Sequence, residues 1–167
     1  MSGDQQTDII FERDDFECES PDDELRLDGR CRELLEHFYL NLVDGGMTEQ
    51  QASEMAFSAD LYLRDFIVDF ARRNVARPQP GIVRRFAATW FITHTLDPEM
   101  AILERHIDGI RELYRFLHRQ RLISGEELDF IEDEAARTDY YRQRIESFLA
   151  IVGDGYFAWE AECPLRD

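Results

Sequence analysis

Apolar residues at Leu27, Cys31, Leu34, Leu35, Phe38 and Leu42 recur at steps of three and four, the period of a helix with one buried face. Gly45-Gly46 closes that run, because glycine readily takes the left-handed conformation of a helix C-terminus. Thr48 and Gln51 make a capping box and open a second helix, striped by Ala52, Met55, Ala56, Ala59, Leu63, Phe66, Ile67 and Phe70. Pro78 and Pro80 break the backbone after it. A shorter third helix is predicted over residues 81–93, with Ile82, Val83, Phe86, Ala87, Trp90 and Phe91 inward. Asp97-Pro98-Glu99 supplies an N-cap, a proline at the first helical position and an acid in the first turn. The fourth helix that follows carries Met100, Leu103, Ile107, Ile110, Tyr114 and Leu117 on one face. Ser124 and Glu127 form a second capping box and open a fifth helix, with Leu128, Ile131, Ala135, Tyr141, Ile145, Phe148, Leu149 and Val152 inward. Gly153-Asp154-Gly155 ends it.

Nowhere do short alternating runs flank hairpin turns, so the expected class is all-α, a five-helix bundle. Residues 1–23 carry Asp14-Asp15 and Asp22-Asp23, one arginine and no sustained apolar period. They read as a mobile acidic arm. Residues 24–152 are the expected helical domain, and residues 153–167 an aromatic and acidic tail.

Composition supports a folded chain. Of 167 residues 44% are hydrophobic, with 12 Phe, and a domain of this size buries roughly 70% of its unfolded surface. Three cysteines, Cys18, Cys31 and Cys163, form no CxxC pair, which points away from a disulfide framework and towards a reducing cytoplasm. The acidic start lacks a positive segment followed by an apolar one, and the apolar run at residues 86–92 is far short of a bilayer span. The expectation is a cytoplasmic protein with no membrane partner.

Charge sharpens the picture. The net charge is −17, and all 19 basic residues are arginine. Without lysine there is no Walker A lysine, Schiff-base lysine or pyridoxal-phosphate anchor. The charge is uneven: residues 1–71 are net −14, residues 72–121 net +5, and residues 122–167 net −8. Arg72, Arg73, Arg77, Arg84 and Arg85 cluster around the proline turn, with no acid between Asp69 and Asp97. Guanidinium forks suit phosphate or carboxylate, so these five form the candidate anion- or nucleic-acid-binding site. The acidic ends offer the same arginines partners within the chain, and an arm that masks the patch is the regulated version of the idea. The overall charge disfavours a general nucleic-acid binder.

Catalytic and metal-binding residues do not emerge. None of His37, His94, His106 and His118 has a glutamate three residues before it, as a di-iron carboxylate site requires. Glu33 and His37 lie one helical turn apart, a possible metal pair that chance also produces. His106 and His118 sit on different sides of one helix. Asp129, Glu132 and Asp133 read as a solvated face. No nucleophile-elbow, zincin or dinucleotide-binding motif is present, and no cofactor is implied. Tyr156, Phe157 and Trp159 are a candidate partner-binding segment, or a tail that folds back on its own core.

Residues 105–117 (RHIDGIRELYRFL) followed by Leu122-Ile123 resemble the last helix of the SAM-like core-binding domain of phage integrases and tyrosine recombinases. Residues 57–61 (FSADL) resemble that family's second helix. The likeness spans residues 30–123. It implies an orthogonal SAM-like core with an extra C-terminal helix, and DNA contact through the arginine patch. The family's catalytic domain does not fit in the residues after Ile123, and Arg121 stands where the family carries glycine. Together these readings favour a non-enzymatic macromolecular-interaction module, binding a protein partner or itself. A stand-alone DNA-binding relative of the core-binding domain is the alternative, and a metal-binding or enzymatic bundle the second alternative.

Overall fold

The computed structural model describes residues 10–166. The part of the arm at residues 1–9, and Asp167 of the tail, lie outside the described residues. Among those described there is no strand, and seven helices pack together. They are α1 (Glu24–Asp44), α2 (α-helical over Glu49–Asp60, π-helical over Leu61–Phe70) and α3 (Ile82–Arg85, π-helical Phe86–Trp90, then Phe91–Thr93). Then come α4 (Met100–Arg119), α5 (Gly125–Ala135), α6 (Thr138–Leu149) and α7 (Tyr156–Ala161). No helix among the described residues is long and apolar enough to cross a membrane.

The centre is α2 against α4. Their approach is close because of Gly109: a Cβ there would sit 2.6 Å from Ser58 Cβ and 2.9 Å from the Met55 carbonyl oxygen. Beside it the buried Ser58 hydroxyl lies 2.9 Å from His106 Nδ1, and farther along the Tyr62 and Tyr114 hydroxyls are 2.7 Å apart.

Aromatic residues spaced by four run along both π-helical stretches. Tyr62, Phe66 and Phe70 contact one another in sequence on α2, as do Phe86, Trp90 and His94 on and just after α3. The two ladders meet edge to face, Phe66 lying 5.4 Å from Phe86 and 5.5 Å from Trp90. An i→i+5 turn is wider than an α turn and leaves room for these rings in succession.

Two expectations are corrected. The fifth helix is two, because the chain turns at Ala136–Arg137 between α5 and α6; Leu149 and Val152, expected inward, are exposed. The fourth helix begins at Met100 with Glu99 as its N-cap, and Pro98 lies buried in the loop before it. In the segment expected as the arm, Phe11 and Phe16 are buried in the core. Short 3-10 turns at Arg13–Phe16 and Pro21–Asp23 pack on α1. The second turn is capped by Ser20 with Asp23 and has a proline at its first position. That N-terminus signal is carried in the sequence seven residues ahead of Leu27.

Candidate anion-binding site

The loop between α2 and α3 carries the arginines, and its shape is set residue by residue. Arg72 ends α2 in the left-handed region at φ 55°, while the Arg73 N–H reaches back to the Ile67 carbonyl at 3.0 Å. This is a Schellman-like stop with arginine at the glycine position. The buried Asn74 accepts from the Ala76 N–H through its side chain, a local turn that needs no strand or helix. At the far end Gly81 is left-handed (φ 95°), and its N–H and that of Arg84 both donate to the carboxylate of Glu134, each at 3.0 Å. Glu134, buried on α5, thus caps the first turn of α3 from across the molecule, where a negative charge suits the helix dipole.

Two adjoining cavities flank this loop. One, of about 270 Å³, is lined by Arg73, Arg77, Arg85 and Asn74 with Tyr114 at its inner end. The other, of about 370 Å³, is lined by Arg72, Arg73, Arg85 and Arg166 over Phe66 and Phe70. Arg73 and Arg85 belong to both, and among the described residues no Asp or Glu lines either. The Arg166 guanidinium lies 5.5 Å from the Phe70 ring centroid, within cation–π range. Tyr62 and Tyr114 stay protonated, since burial drives both phenols well above their ordinary range.

The structure therefore divides the five arginines singled out in the sequence. Arg72, Arg73, Arg77 and Arg85 line the groove. Arg84 does not; it lines neither cavity, and its backbone N–H is held by Glu134. Arg166, from the tail, completes the site; nothing local in the sequence places it there. Arg72 pairs with Glu24 at 3.2 Å, and Arg77 with Asp14 at 2.6 Å and with Glu17. Among the described residues the Arg73 side chain makes no hydrogen bond or ion pair.

The other candidates resolve differently. Trp159 is buried under the Arg144 guanidinium, 3.8 Å from its ring, and donates from Nε1 to the Arg144 carbonyl. The tail thus folds back through Trp159, while Tyr156 and Phe157 are exposed. Glu33 pairs with Arg30, and His37 stands edge-on to Phe11. Among the described residues no three His, Cys, Asp or Glu side chains are placed to hold a metal ion. Glu132, expected on a solvated face, instead bridges α5 to α4 through Arg111 and Arg115. Ser58 and His106 form a hydroxyl–imidazole pair that no sequence spacing revealed, but both are buried at the α2–α4 crossing and neither lines either cavity of the groove. The Cys31 thiol is pushed up to about 12 by burial, which withholds the thiolate that nucleophilic chemistry needs.

A second surface feature is an open groove of about 570 Å³ between α1 and α2, where Leu35, Tyr39, Leu40 and Phe57 are rimmed by Arg32, Glu36, Asp60 and Arg64. Leu40 and Phe57 are exposed there, Phe57 by 69%. No family model matches the chain, and neither a curated protein nor a solved structure matches it.

Proposed function

We propose that this chain is a cytoplasmic, non-enzymatic interaction module that recognises an anionic group on a macromolecular partner in the arginine groove beside the α2–α3 loop. One observation carries the reading: in a chain of net charge −17, two adjoining cavities are lined by five arginines and, among the described residues, by no acid. Guanidinium groups over an apolar, aromatic floor combine charge-assisted hydrogen bonds with a surface that sheds water. The acidic remainder of the molecule repels polyanions at long range, which favours a partner presenting one anionic feature over a continuous phosphate backbone.

The test is an NMR titration with inorganic phosphate, following the arginine Nε–H resonances. Those of Arg73 and Arg85 are expected to shift saturably, with Arg84 as the internal control outside the groove. Arg73→Ala should remove the response. Equal movement of all arginines, or of none, ends the proposal.

The resemblance to the integrase core-binding domain supplies the competing reading, in which α1 to α4 form a SAM-like orthogonal core, α5 to α7 are additions, and the same arginines grip DNA. That reading expects duplex binding that falls steeply with salt and requires Arg84 as well as Arg85. A separate observation, the exposed Leu40 and Phe57 in the α1–α2 groove, favours self-association as a further role. Light scattering over a concentration series should then show a rising mass that Phe57→Ser abolishes.

A further inference from the structure

At the edge of the groove Arg77 already has a ligand, supplied by the chain itself. Asp14 on the Arg13–Phe16 turn and Glu17 just past its end both reach the Arg77 guanidinium. Asn74 reads the same turn twice, donating to the Arg13 carbonyl at 2.9 Å and to the Glu17 carboxylate at 3.0 Å. Phe16 from the middle of the turn is buried. Guanidinium to paired carboxylates, side-chain amide to backbone, and an apolar pocket for the intervening ring together are a way of recognising an acidic peptide. In the neighbouring half of the groove Arg73 and Arg166 line one cavity with Phe66 and Phe70, the Arg166 guanidinium lying 5.5 Å from the Phe70 ring centroid.

From this we infer that the groove's ligand is an acidic peptide segment of a partner protein, with two carboxylates about one turn apart beside an aromatic residue, and that Asp14 and Glu17 compete with it for Arg77. The inference rests on the anion-site reading above and adds the ligand class. A nucleic acid fits the observations less well, because the acidic remainder of the molecule repels a continuous phosphate backbone. The arm is anchored by Phe11 and Phe16, so competition is between side chains at the groove edge, with the arm staying in place.

The experiment is fluorescence polarisation with a labelled peptide of the sequence of residues 12–17, ERDDFE, on the full chain. The controls are its amide analogue, with Gln and Asn for the acids, and a labelled single-stranded oligonucleotide. The acidic peptide is expected to bind, the amide analogue not, and Arg73→Ala or Arg166→Ala to weaken binding at least fivefold. Asp14→Asn with Glu17→Gln, which frees Arg77 while leaving Phe11 and Phe16 docked, should tighten binding about three- to fivefold, the scale of an exposed ion pair. Arg77→Ala should change little in the parent chain yet erase the gain in the double variant, a readout that a general loosening of the fold does not reproduce. Binding of the peptide without any gain in the double variant overturns the competition. An oligonucleotide that binds more tightly than the peptide, in an Arg73-dependent way, overturns the ligand class and leaves the anion site standing. No binding of peptide, oligonucleotide or phosphate removes the anion site itself.

Discussion

Two arginines occupy backbone positions that suit glycine. Arg72 has φ 55° and Arg121 φ 60°, each just past the end of a helix. The left-handed conformation costs an L-residue roughly 1–2 kcal/mol. Arg121 closes α4, where the Leu122 N–H bonds back to the Leu117 carbonyl at 2.9 Å. Arg121→Gly removes the Cβ clash at the cost of some unfolded-state entropy, so a net gain of about 1 kcal/mol is expected, read as a higher urea midpoint at unchanged slope. Arg72→Gly relieves the same strain but also deletes a groove arginine, which makes Arg121 the cleaner test. His106 gives a pH signature. Burial, then the charge of Arg105, holds its imidazole below the ordinary 6.5. The folded state keeps it neutral while the unfolded chain takes up a proton, so its contribution is complete above the unfolded pKa and is lost as pH falls through it. Between about pH 7.5 and about pH 5.5 the unfolding midpoint should drop more in the parent than in His106→Gln. Parallel profiles would falsify this role. Neither feature is legible in sequence: φ is not written in residue type, and the Ser58–His106 pair joins residues 48 apart.

At the scale of elements, periodicity located the helices well wherever one face is buried throughout. The six residues expected inward on α3 are all buried, and so are Leu103, Ile107, Ile110, Tyr114 and Leu117 of α4. It failed at the break between α5 and α6, because the apolar spacing continues through a turn that lacks glycine and proline. It also passed over the strict spacing of aromatics by four at 62, 66, 70 and at 86, 90, 94, the one sequence mark of the π-helical stretches. The tail shows what packing adds. Arg144 on α6, only 2% exposed, donates to the Ala88 carbonyl at 3.0 Å, the Trp159 carbonyl at 2.7 Å and the Thr89 hydroxyl at 3.1 Å. Thr89 in turn donates to the Cys163 carbonyl. One side chain therefore ties α7 to α3 and α6. Arg144→Leu leaves these buried acceptors short of donors, and a loss of about 2–4 kcal/mol is expected. Limited proteolysis should cut residues 153–166 first while α1 to α4 persist. Cleavage spread evenly over the chain would show that Arg144 does not hold the tail in particular.

For the whole molecule, charge was legible as arithmetic and not as geometry. The segment sums identified a basic centre between acidic ends, and the structure connects them at specific points, Arg72 to Glu24 and Arg77 to Asp14 and Glu17. What the sums could not show is that the acidic arm is also part of the core. Phe11 and Phe16 are the only large apolar residues among its described positions beyond the exposed Ile10, too few to set a period, yet both are buried. A mobile arm could be removed at little cost, and its removal would simply bare the arginines. An arm docked through two phenylalanines cannot. Phe16→Ala alone should destabilise by about 3–5 kcal/mol, the usual cost of emptying a buried ring site. Deleting residues 1–23 should cost at least as much, because Asn74 then also loses its partners in the arm. Asp14→Asn with Glu17→Gln, which removes the ion pairs to Arg77 and keeps a side-chain oxygen at position 17 to accept from Asn74, should stay within about 1 kcal/mol of the parent. Urea unfolding of the three variants separates the alternatives. If the deletion leaves the midpoint where it was, the arm is a detachable mask and its phenylalanines add nothing to the core. If the deletion and Phe16→Ala fall together while the charge variant does not, the arm is structural, and only its carboxylates are left to tune the groove.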